Sequence, residues 1–92
     1  MAKFLMLGKY SIEGVKGISA KRTKVVVNLI EKARGEVISM YALVGTYDLA
    51  FVVDFPTVSE VVKASVSLTK STGISFTTLP ALTIEEFDKL VG

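Results

Sequence analysis

Two charged residues in apolar segments are the first candidates for chemistry in this chain of 92 residues. Arg22 falls on the apolar stripe of a predicted helix, and Asp54 interrupts a strand-like run that is otherwise apolar. An unpaired charge at either place would be costly, so we expect the two side chains to pair. A small anion that displaced Asp54 would bind at Arg22. The pattern therefore predicts a metabolite site in an apolar cavity.

A predicted β-hairpin supplies further candidates for this site. Gly45 allows the positive φ that a hairpin tip requires, and Asp48 is expected to accept hydrogen bonds from its own turn. An alternative is that Asp48 only ties the turn, while Arg22 and Asp54 satisfy each other. No catalytic or metal-binding residue is assigned. The candidate ligand-binding residues are Tyr10, Arg22, Tyr41, Gly45, Tyr47, Asp48 and Asp54.

A second interpretation is a cofactor-independent enzyme, such as a small oxygenase or isomerase. The chain has no histidine and no cysteine. It therefore lacks the commonest general base near neutral pH, a thiolate nucleophile and the usual nitrogen and sulfur ligands of metals. Asp54 would have to act as the base, with Tyr10 or Tyr41 as proton donor. A single carboxylate supports this interpretation less well than the binding interpretation, and no cofactor is indicated.

A third interpretation is nucleic-acid binding. Residues 1–34 carry eight basic residues against two acidic ones, whereas residues 35–92 carry three basic against seven acidic. The basic part would attract an anion or a nucleic acid, but the two halves can also attract each other across an interface. Ala50-Phe51-Val52 matches a fragment of the pattern with which RNA-recognition domains stack bases. The rest of that pattern is missing, so we do not expect a nucleic-acid partner.

Size and composition bound the class of protein. We expect one domain over residues 1–92, and a chain of this size buries only about two-thirds of its unfolded surface. Half of the residues are apolar, so association with a second copy would add stability. The apolar run Phe4 to Leu7 is too short for a signal sequence or a membrane span. We expect a cytoplasmic protein with no membrane partner.

Apolar runs predict four strands. The first and third runs are apolar at both odd and even positions, and therefore on both sides of the strand, which is typical of strands at the centre of a sheet. Pro80 is expected to close the pairing of the fourth strand. The predicted strands are residues 2–9, 36–44, 49–55 and 74–79.

Helical periodicity and capping residues predict the helices between these strands. Residues 11–17 have no regular period and indicate a turn or a weak helical prelude. The first long helix begins after Ser19 as N-cap and ends with Gly35 as a left-handed C′ residue. The next ends at Gly73, and a short third helix is expected to dock at the C-terminus. Two capping boxes open the later helices, and they are Thr57 with Glu60 and Thr83 with Glu86.

The element order β-α-β-β-α-β predicts an α+β, ferredoxin-like fold: a four-stranded antiparallel sheet with its helices on one face. We expect strands one and three to be adjacent at the centre and parallel to each other. The other face would meet water, although the outward residues of these strands are apolar. We therefore expect a homodimer or higher homo-oligomer that packs face to face, with Phe51 or Val52 in the interface.

Five short motifs follow one another along nearly the whole chain, and they are Ser11-Ile12-Glu13-Gly14, Arg22, Tyr41 before Gly45-Thr46-Tyr47-Asp48, Asp54-Phe55-Pro56, and Thr78-Leu79-Pro80-Ala81-Leu82. Together these motifs resemble the GYD domain family. The resemblance implies a ferredoxin-like domain that assembles as a dimeric α/β barrel, with no established biochemical activity. The hairpin is also similar to that of the effector domains of Lrp/AsnC-type regulators, which bind amino acids between subunits. The helix-turn-helix of those regulators is missing from this sequence. We therefore expect a stand-alone metabolite-binding or regulatory domain, with an anionic or amino-acid-like ligand.

Overall fold

The computed structural model describes residues 1–92 as four strands and four helices. Their order confirms the predicted α+β, ferredoxin-like succession of elements, with one short helix added before the first long helix and one at the C-terminus. The prelude at residues 11–17 is the first of these short helices. The elements are β1 Ala2–Tyr10, α1 Ile12–Lys16, α2 Ala20–Lys32, β2 Glu36–Ala42, β3 Leu49–Phe55, α3 Val58–Thr72, β4 Ile74–Ala81 and α4 Ile84–Val91.

The four strands form one antiparallel sheet in the order β2-β3-β1-β4. The prediction that strands one and three are adjacent is confirmed, but the prediction that they are parallel is wrong. The crossover through α2 returns the chain so that β2 runs in the direction of β1, and the hairpin then reverses it. β3 is therefore antiparallel to β1. β1 ends at the same end of the sheet at which β3 and β4 begin, and we call this the upper end. The opposite end is the lower end.

The edge strand β4 is longer than predicted. It continues through Pro80, which lies opposite Phe4, to Ala81, which lies opposite Lys3. Proline cannot donate to a strand ladder and is tolerated at the edge of a sheet, where one side of the strand is unpaired. Pro80 therefore does not end the pairing at this position.

Alternation along β1 and β3 builds the hydrophobic core on one face of the sheet. Phe51, Val53 and Phe55 are buried, and the residues between them are only half-buried. Phe51 therefore points into the core, and Val52 is the outward residue of the two that we considered for the interface. Fully burying each such side chain contributes about 1.5–3 kcal/mol. The other members of the core are Phe4, Met6, Val26, Ile30, Val61, Ala64 and Leu68.

The opposite face of the sheet is also apolar at its centre. Leu5 lies between Val52 of β3 and Leu79 of β4, and Leu7 lies beside Ala50. These five residues define what we call the outer sheet face. Four of them are half-buried and Leu79 is 43% exposed. The helices contribute their buried side chains to the other face, so the outer sheet face is available for an intermolecular contact.

The hairpin between β2 and β3 has a longer connection than a two-residue turn, spanning residues 43–48. The predicted positive φ at Gly45 is confirmed at 152°. A Cβ atom at this position would contact nothing within 4 Å, so only the backbone conformation favours glycine there. The N–H of Leu43 donates to the carbonyl of Asp48 at 2.8 Å and closes the connection.

The predicted cap of a backbone N–H by a threonine hydroxyl is confirmed at Thr83 but not at Thr57. The Thr83 hydroxyl oxygen accepts from the Glu86 N–H at 3.1 Å, and its O–H donates to the Glu86 carboxylate at 3.0 Å. Thr57 is the N-cap of α3, but its hydroxyl donates to the carboxylate of Glu60 and caps no backbone N–H. This hydrogen bond lowers the pKa of Glu60 below its ordinary value, because it favours the ionised form.

The C-terminal end of α2 differs from the prediction. Arg34, not Gly35, takes the left-handed conformation, with φ at 71°. The N–H of Gly35 donates to Ile30 and that of Arg34 to Glu31, both at 2.9 Å, which is the Schellman pattern. Glycine is needed at 35 for space, because a Cβ atom there would lie 2.5 Å from the Phe55 ring.

The short C-terminal helix does not dock as expected. No residue of α4 is buried, and Leu82 and Phe87, at the start of this helix, remain 52% and 49% exposed. The helix is nevertheless formed and capped at its start. None of the helices in the structure has the length and apolarity that crossing a membrane requires.

The Schellman motif of α2 makes a testable prediction. Replacing Arg34→Gly should stabilise the fold by about 0.5–1 kcal/mol, because the left-handed conformation carries no steric cost in glycine. Urea unfolding would measure the gain. Ala33→Gly is the matched control: Ala33 has φ at −85°, so glycine there should give no gain. Equal or lower stability of Arg34→Gly relative to the parent chain would contradict the prediction.

Candidate functional site

A cavity of about 210 Å³ opens at the upper end of the sheet, beside the start of α2. Its walls are mostly apolar, and they include Val26, Met40, Phe51 and Ile74. Arg22 is the only charged residue among those that line it, and we call it the Arg22 cavity. Its remaining lining residues are Tyr10, Ile18, Ser19, Thr23, Tyr41, Ala42 and Leu49.

The backbone around the start of α2 fixes the position of Arg22. Ser19 is confirmed as the N-cap, since its hydroxyl oxygen accepts from the Arg22 N–H at 3.1 Å. The Nη1 atom of Arg22 donates to the carbonyl of Gly14, and the guanidinium lies 5.4 Å from the centre of the Tyr10 ring. A Cβ atom on Gly17 would lie 2.8 Å from Nη1. Glycine at 17 therefore leaves room for the guanidinium in this position.

The helix α1 that carries Gly14 is itself fastened to the upper end of β4. The N–H of Ser11 donates to the carbonyl of Gly73 at 3.4 Å, and Gly73 ends α3 with φ at 72°, as predicted. The Ser11 hydroxyl oxygen accepts from the Gly14 N–H at 3.0 Å. These bonds hold the carbonyl of Gly14 where Arg22 can reach it.

The geometry suits anion binding better than proton transfer. A guanidinium has five N–H donors in a planar fork that matches a carboxylate, and one nitrogen of Arg22 is already bonded to Gly14. Cation–π contact with Tyr10 orients the group and limits its motion. No aspartate or glutamate lines the cavity. A carboxylate in the cavity would therefore be held by Arg22 and would meet no acidic general base.

The predicted pairing of Arg22 with Asp54 is wrong. Asp54 lies between inward residues of β3, so the two-residue period of the strand directs it to the opposite face from α2. It is paired across the strands with Lys3, and the Lys3 Nζ to Asp54 Oδ1 distance is 3.3 Å. A partly exposed pair of this kind contributes about 0–1 kcal/mol. Asp54 does not line the Arg22 cavity, so it cannot act there with Tyr10 or Tyr41.

Asp48 has a different partner from the one expected. Its Oδ2 atom accepts from the Tyr10 N–H at 2.8 Å, and its own N–H donates to Gly8 at 2.8 Å. The side chain thus ties the hairpin to the end of β1 and not to its own turn. It acts on the cavity through Tyr10, which stacks on Arg22.

The structure brings together three of the seven predicted site residues and separates the others. Tyr10, Arg22 and Tyr41 line the cavity, whereas Gly45, Tyr47, Asp48 and Asp54 do not. Tyr41 of β2 lies opposite Ala50 of the outer sheet face and is exposed. Directly opposite residues of paired strands point to the same side of a sheet, so the side chain of Tyr41 does not point towards Arg22.

Several residues around Arg22 that form the site could not be identified from the sequence alone. Ile18, Ser19 and Thr23 line the cavity, and Gly14 supplies the carbonyl that holds the guanidinium. Ser19 had been identified only as a helix cap, although an N-cap three residues before an arginine already places that arginine in the first turn. Nothing local in the sequence indicates that the carbonyl of Gly14 faces this turn.

The fragment that resembles an RNA-binding motif is not exposed. Phe51 is 2% exposed and packs in the core, with its ring centre 5.5 Å from that of Phe76. Base stacking requires an aromatic ring on an open sheet face. Phe51 therefore cannot serve in the way that this pattern suggested.

Comparison with known proteins gives one family match. The model of the GYD domain family matches residues 4–91, which is nearly the whole chain. No curated protein matches the sequence.

The hydrogen bond from Tyr10 to Asp48 makes a second prediction. Asp48→Ala should destabilise the fold by about 1–3 kcal/mol, because it leaves a half-buried backbone donor without its partner. Chemical unfolding would measure this, with Asp88→Ala on the exposed face of α4 as the control. Asp48→Asn keeps an acceptor oxygen and should recover most of the loss. Equal stability of the two alanine variants would show that water replaces the carboxylate without cost.

Proposed function

The chain belongs to the GYD domain family, and from this membership and the geometry of the Arg22 cavity we propose that it is a small oligomeric domain that binds an anionic metabolite. One observation carries the proposal. The guanidinium of Arg22 is held against Tyr10 and the carbonyl of Gly14 at the wall of a mostly apolar cavity that contains no acidic residue.

The cavity limits the class of ligand. A volume of about 210 Å³ is below the roughly 300–1,000 Å³ of pockets for drug-sized molecules. A ligand of amino-acid size with one carboxylate fits this volume and charge. Its carboxylate would bind Arg22, and its apolar part would contact residues such as Val26 and Met40. A carboxylate–guanidinium bond is strengthened where the surroundings exclude water.

A homodimer is the second part of the proposal. The outer sheet face is apolar at its centre and is not covered by the helices of its own chain. Four strands about 4.8 Å apart and about 18 Å long give it a footprint of roughly 350 Å². At about 25 cal/mol per Å², hiding this area would contribute on the order of 9 kcal/mol per chain before the entropy of association is subtracted. Face-to-face packing of two copies would give a dimeric α/β barrel.

A binding role, in the cytoplasm, is preferred over the two alternatives. The enzyme interpretation needs Asp54 as a base beside Tyr10 or Tyr41, and Asp54 instead pairs with Lys3 on the other face of the sheet. The nucleic-acid interpretation would use Phe51 for base stacking, but Phe51 is buried, and only the basic charge of residues 1–34 still supports it. The cytoplasmic location is inferred from composition, since a chain without cysteine has no disulfide that would require an oxidising compartment.

Ligand binding can be tested by thermal unfolding in a panel of L-amino acids and short carboxylic acids, each paired with its uncharged amide. A carboxylate present at 100 times its dissociation constant should stabilise the fold by about 2.7 kcal/mol, which raises Tm by roughly 10–20 °C. The matched amide should give a much smaller shift, because it cannot form the charged pair with Arg22.

Variants of the cavity make this test specific. Arg22→Met should weaken binding roughly 10- to 150-fold, the loss of a charge-assisted bond worth about 1.5–3 kcal/mol. Gly17→Ala keeps the charge but displaces Nη1, and it should also weaken binding. Lys32→Met, at an exposed position of the same helix, is the control. Carboxylate binding that survives Arg22→Met, or a panel in which no acid binds, would contradict the proposal.

Dimerisation can be tested independently of the ligand. Light scattering at micromolar concentration should give the mass of two chains. Val52→Lys should yield a monomer or an aggregate, because it places a charge at the centre of the outer sheet face. Val62→Lys makes the same substitution at an exposed position of α3 and should leave the dimer intact. A monomeric parent chain would exclude this part of the proposal.

A further inference from the structure

Helix α4 exposes a complete apolar stripe. Ile84, Phe87, Leu90 and Val91 recur at three- and four-residue steps on one side of the helix and are 73%, 49%, 74% and 63% exposed. An isolated helix of eight residues is not stable in water, and no residue of α4 is buried by its own chain. The contacts that α4 makes within its own chain are therefore not enough to stabilise it, and a further surface must bind its apolar stripe.

The overall dimensions agree with a projecting helix. The radius of gyration is 13.5 Å, whereas a compact chain of this length has about 12 Å. The longest dimension is 46 Å, against 29 and 18 Å for the other two. α4 follows Ala81, which pairs with Lys3 at the lower end of the sheet, far along the strands from the Arg22 cavity.

The chain carries a second exposed apolar surface, whose charge is opposite to that of α4. Ile12, Val15 and Ile18 are spaced three residues apart along α1 and the turn after it, and are 76%, 52% and 57% exposed. We call these three residues the α1 surface. Residues 9–24 around it carry five basic residues against one acidic, whereas α4 carries three acidic residues against one basic. An acidic helix with an apolar stripe is attracted to such a surface.

The symmetry of a face-to-face dimer can bring these two surfaces together. With the two-fold axis running across the strands, the lower end of β4 in one copy faces the upper end of β4 in the other. That upper end is where α1 is fastened, through the hydrogen bond from Ser11 to Gly73. The contact is then made twice, once by each α4, as a two-fold interface requires.

We propose that α4 docks on the α1 surface of a second copy of this chain. Ile18 belongs to this surface and also lines the Arg22 cavity, so the docked helix of one copy covers the mouth of the other copy's cavity. The ligand site is then complete only in the dimer. This inference rests on the dimer of the proposed function and adds the element that closes the site.

The area that a stable dimer needs to bury also supports the docking of α4 on the second copy. Stable interfaces bury about 800 Å² per partner, and the outer sheet face offers a footprint of only roughly 350 Å². The apolar stripe of α4 and the α1 surface extend the contact beyond the sheet, so that each copy contributes area at two further places. Because each copy docks its α4 on the other copy, the two contacts together also fix the orientation of the two sheets.

The absence of cysteine from the chain permits a direct test by disulfide trapping. A Leu90→Cys chain is mixed with an equal amount of a Val15→Cys chain that carries a tag, and the mixture is oxidised mildly. A disulfide requires Cα atoms within about 7 Å, so we expect the mixed pair to be trapped efficiently. Val66→Cys at an exposed position of α3 is the control partner and should give at least tenfold less.

The trapping pattern decides between the possible positions of α4. Preferential trapping with Leu79→Cys would place α4 on the outer sheet face and overturn the proposal. A fast disulfide within one chain carrying both Leu90→Cys and Val15→Cys would show that the helix folds back on its own chain, and would also overturn it. Trapping no better than that of the Val66→Cys control would likewise overturn it.

Substitutions in α4 separate this inference from the proposed function. Phe87→Glu should raise the dimer dissociation constant at least tenfold and weaken carboxylate binding, whereas Lys89→Glu on the polar side of the helix should weaken neither. If Phe87→Glu leaves both unchanged, the docking of α4 is excluded while the dimer and the Arg22 site stand. If the parent chain is a monomer that still binds carboxylates through Arg22, the dimer and this inference fail together, and the site remains.

Discussion

The two-residue period of β1 and β3 is the constraint on which the rest of the structure depends. Both strands lie at the centre of the sheet and are apolar on both faces, so one set of residues forms the core under α2 and α3, and the other set forms the outer sheet face. A single step in register would exchange the two sets. The same period directs Phe51 into the core, where it cannot stack on a nucleic-acid base. It directs Asp54 away from the Arg22 cavity, where it cannot act as the base of an enzyme.

The hairpin motif influences the cavity without lining it. Asp48 binds the backbone of Tyr10, Tyr10 stacks on Arg22, and Arg22 is bonded to Gly14. This series of contacts joins the hairpin, β1, α2 and α1 at the upper end of the sheet. Gly45, through its positive φ, and Asp48, through its bond to Tyr10, thus have a structural explanation that is independent of the ligand. The binding role falls on the guanidinium that this arrangement orients.

Small size connects the fold with the proposed assembly. A chain of 92 residues can cover only part of its apolar surface with its own elements. Here the uncovered parts are the outer sheet face, the α1 surface and the stripe of α4. Helices on one face of the sheet stabilise the core, and a second copy would cover what remains. In this arrangement oligomerisation would complete both the fold and the ligand site.

Local patterns in the sequence determined the elements, and only the tertiary structure decided which side chains meet. Strand alternation, the caps at Ser19 and Thr83 and the glycines at 45 and 73 set most element boundaries, because these signals act within a few residues. The partners of Asp54, Asp48 and Arg22 could not be predicted in this way, since each lies on another element and depends on register and strand direction. The left-handed residue after α2 was misassigned for a similar reason: Gly35 is required by the approach of the Phe55 ring, a contact between elements that no local pattern contains.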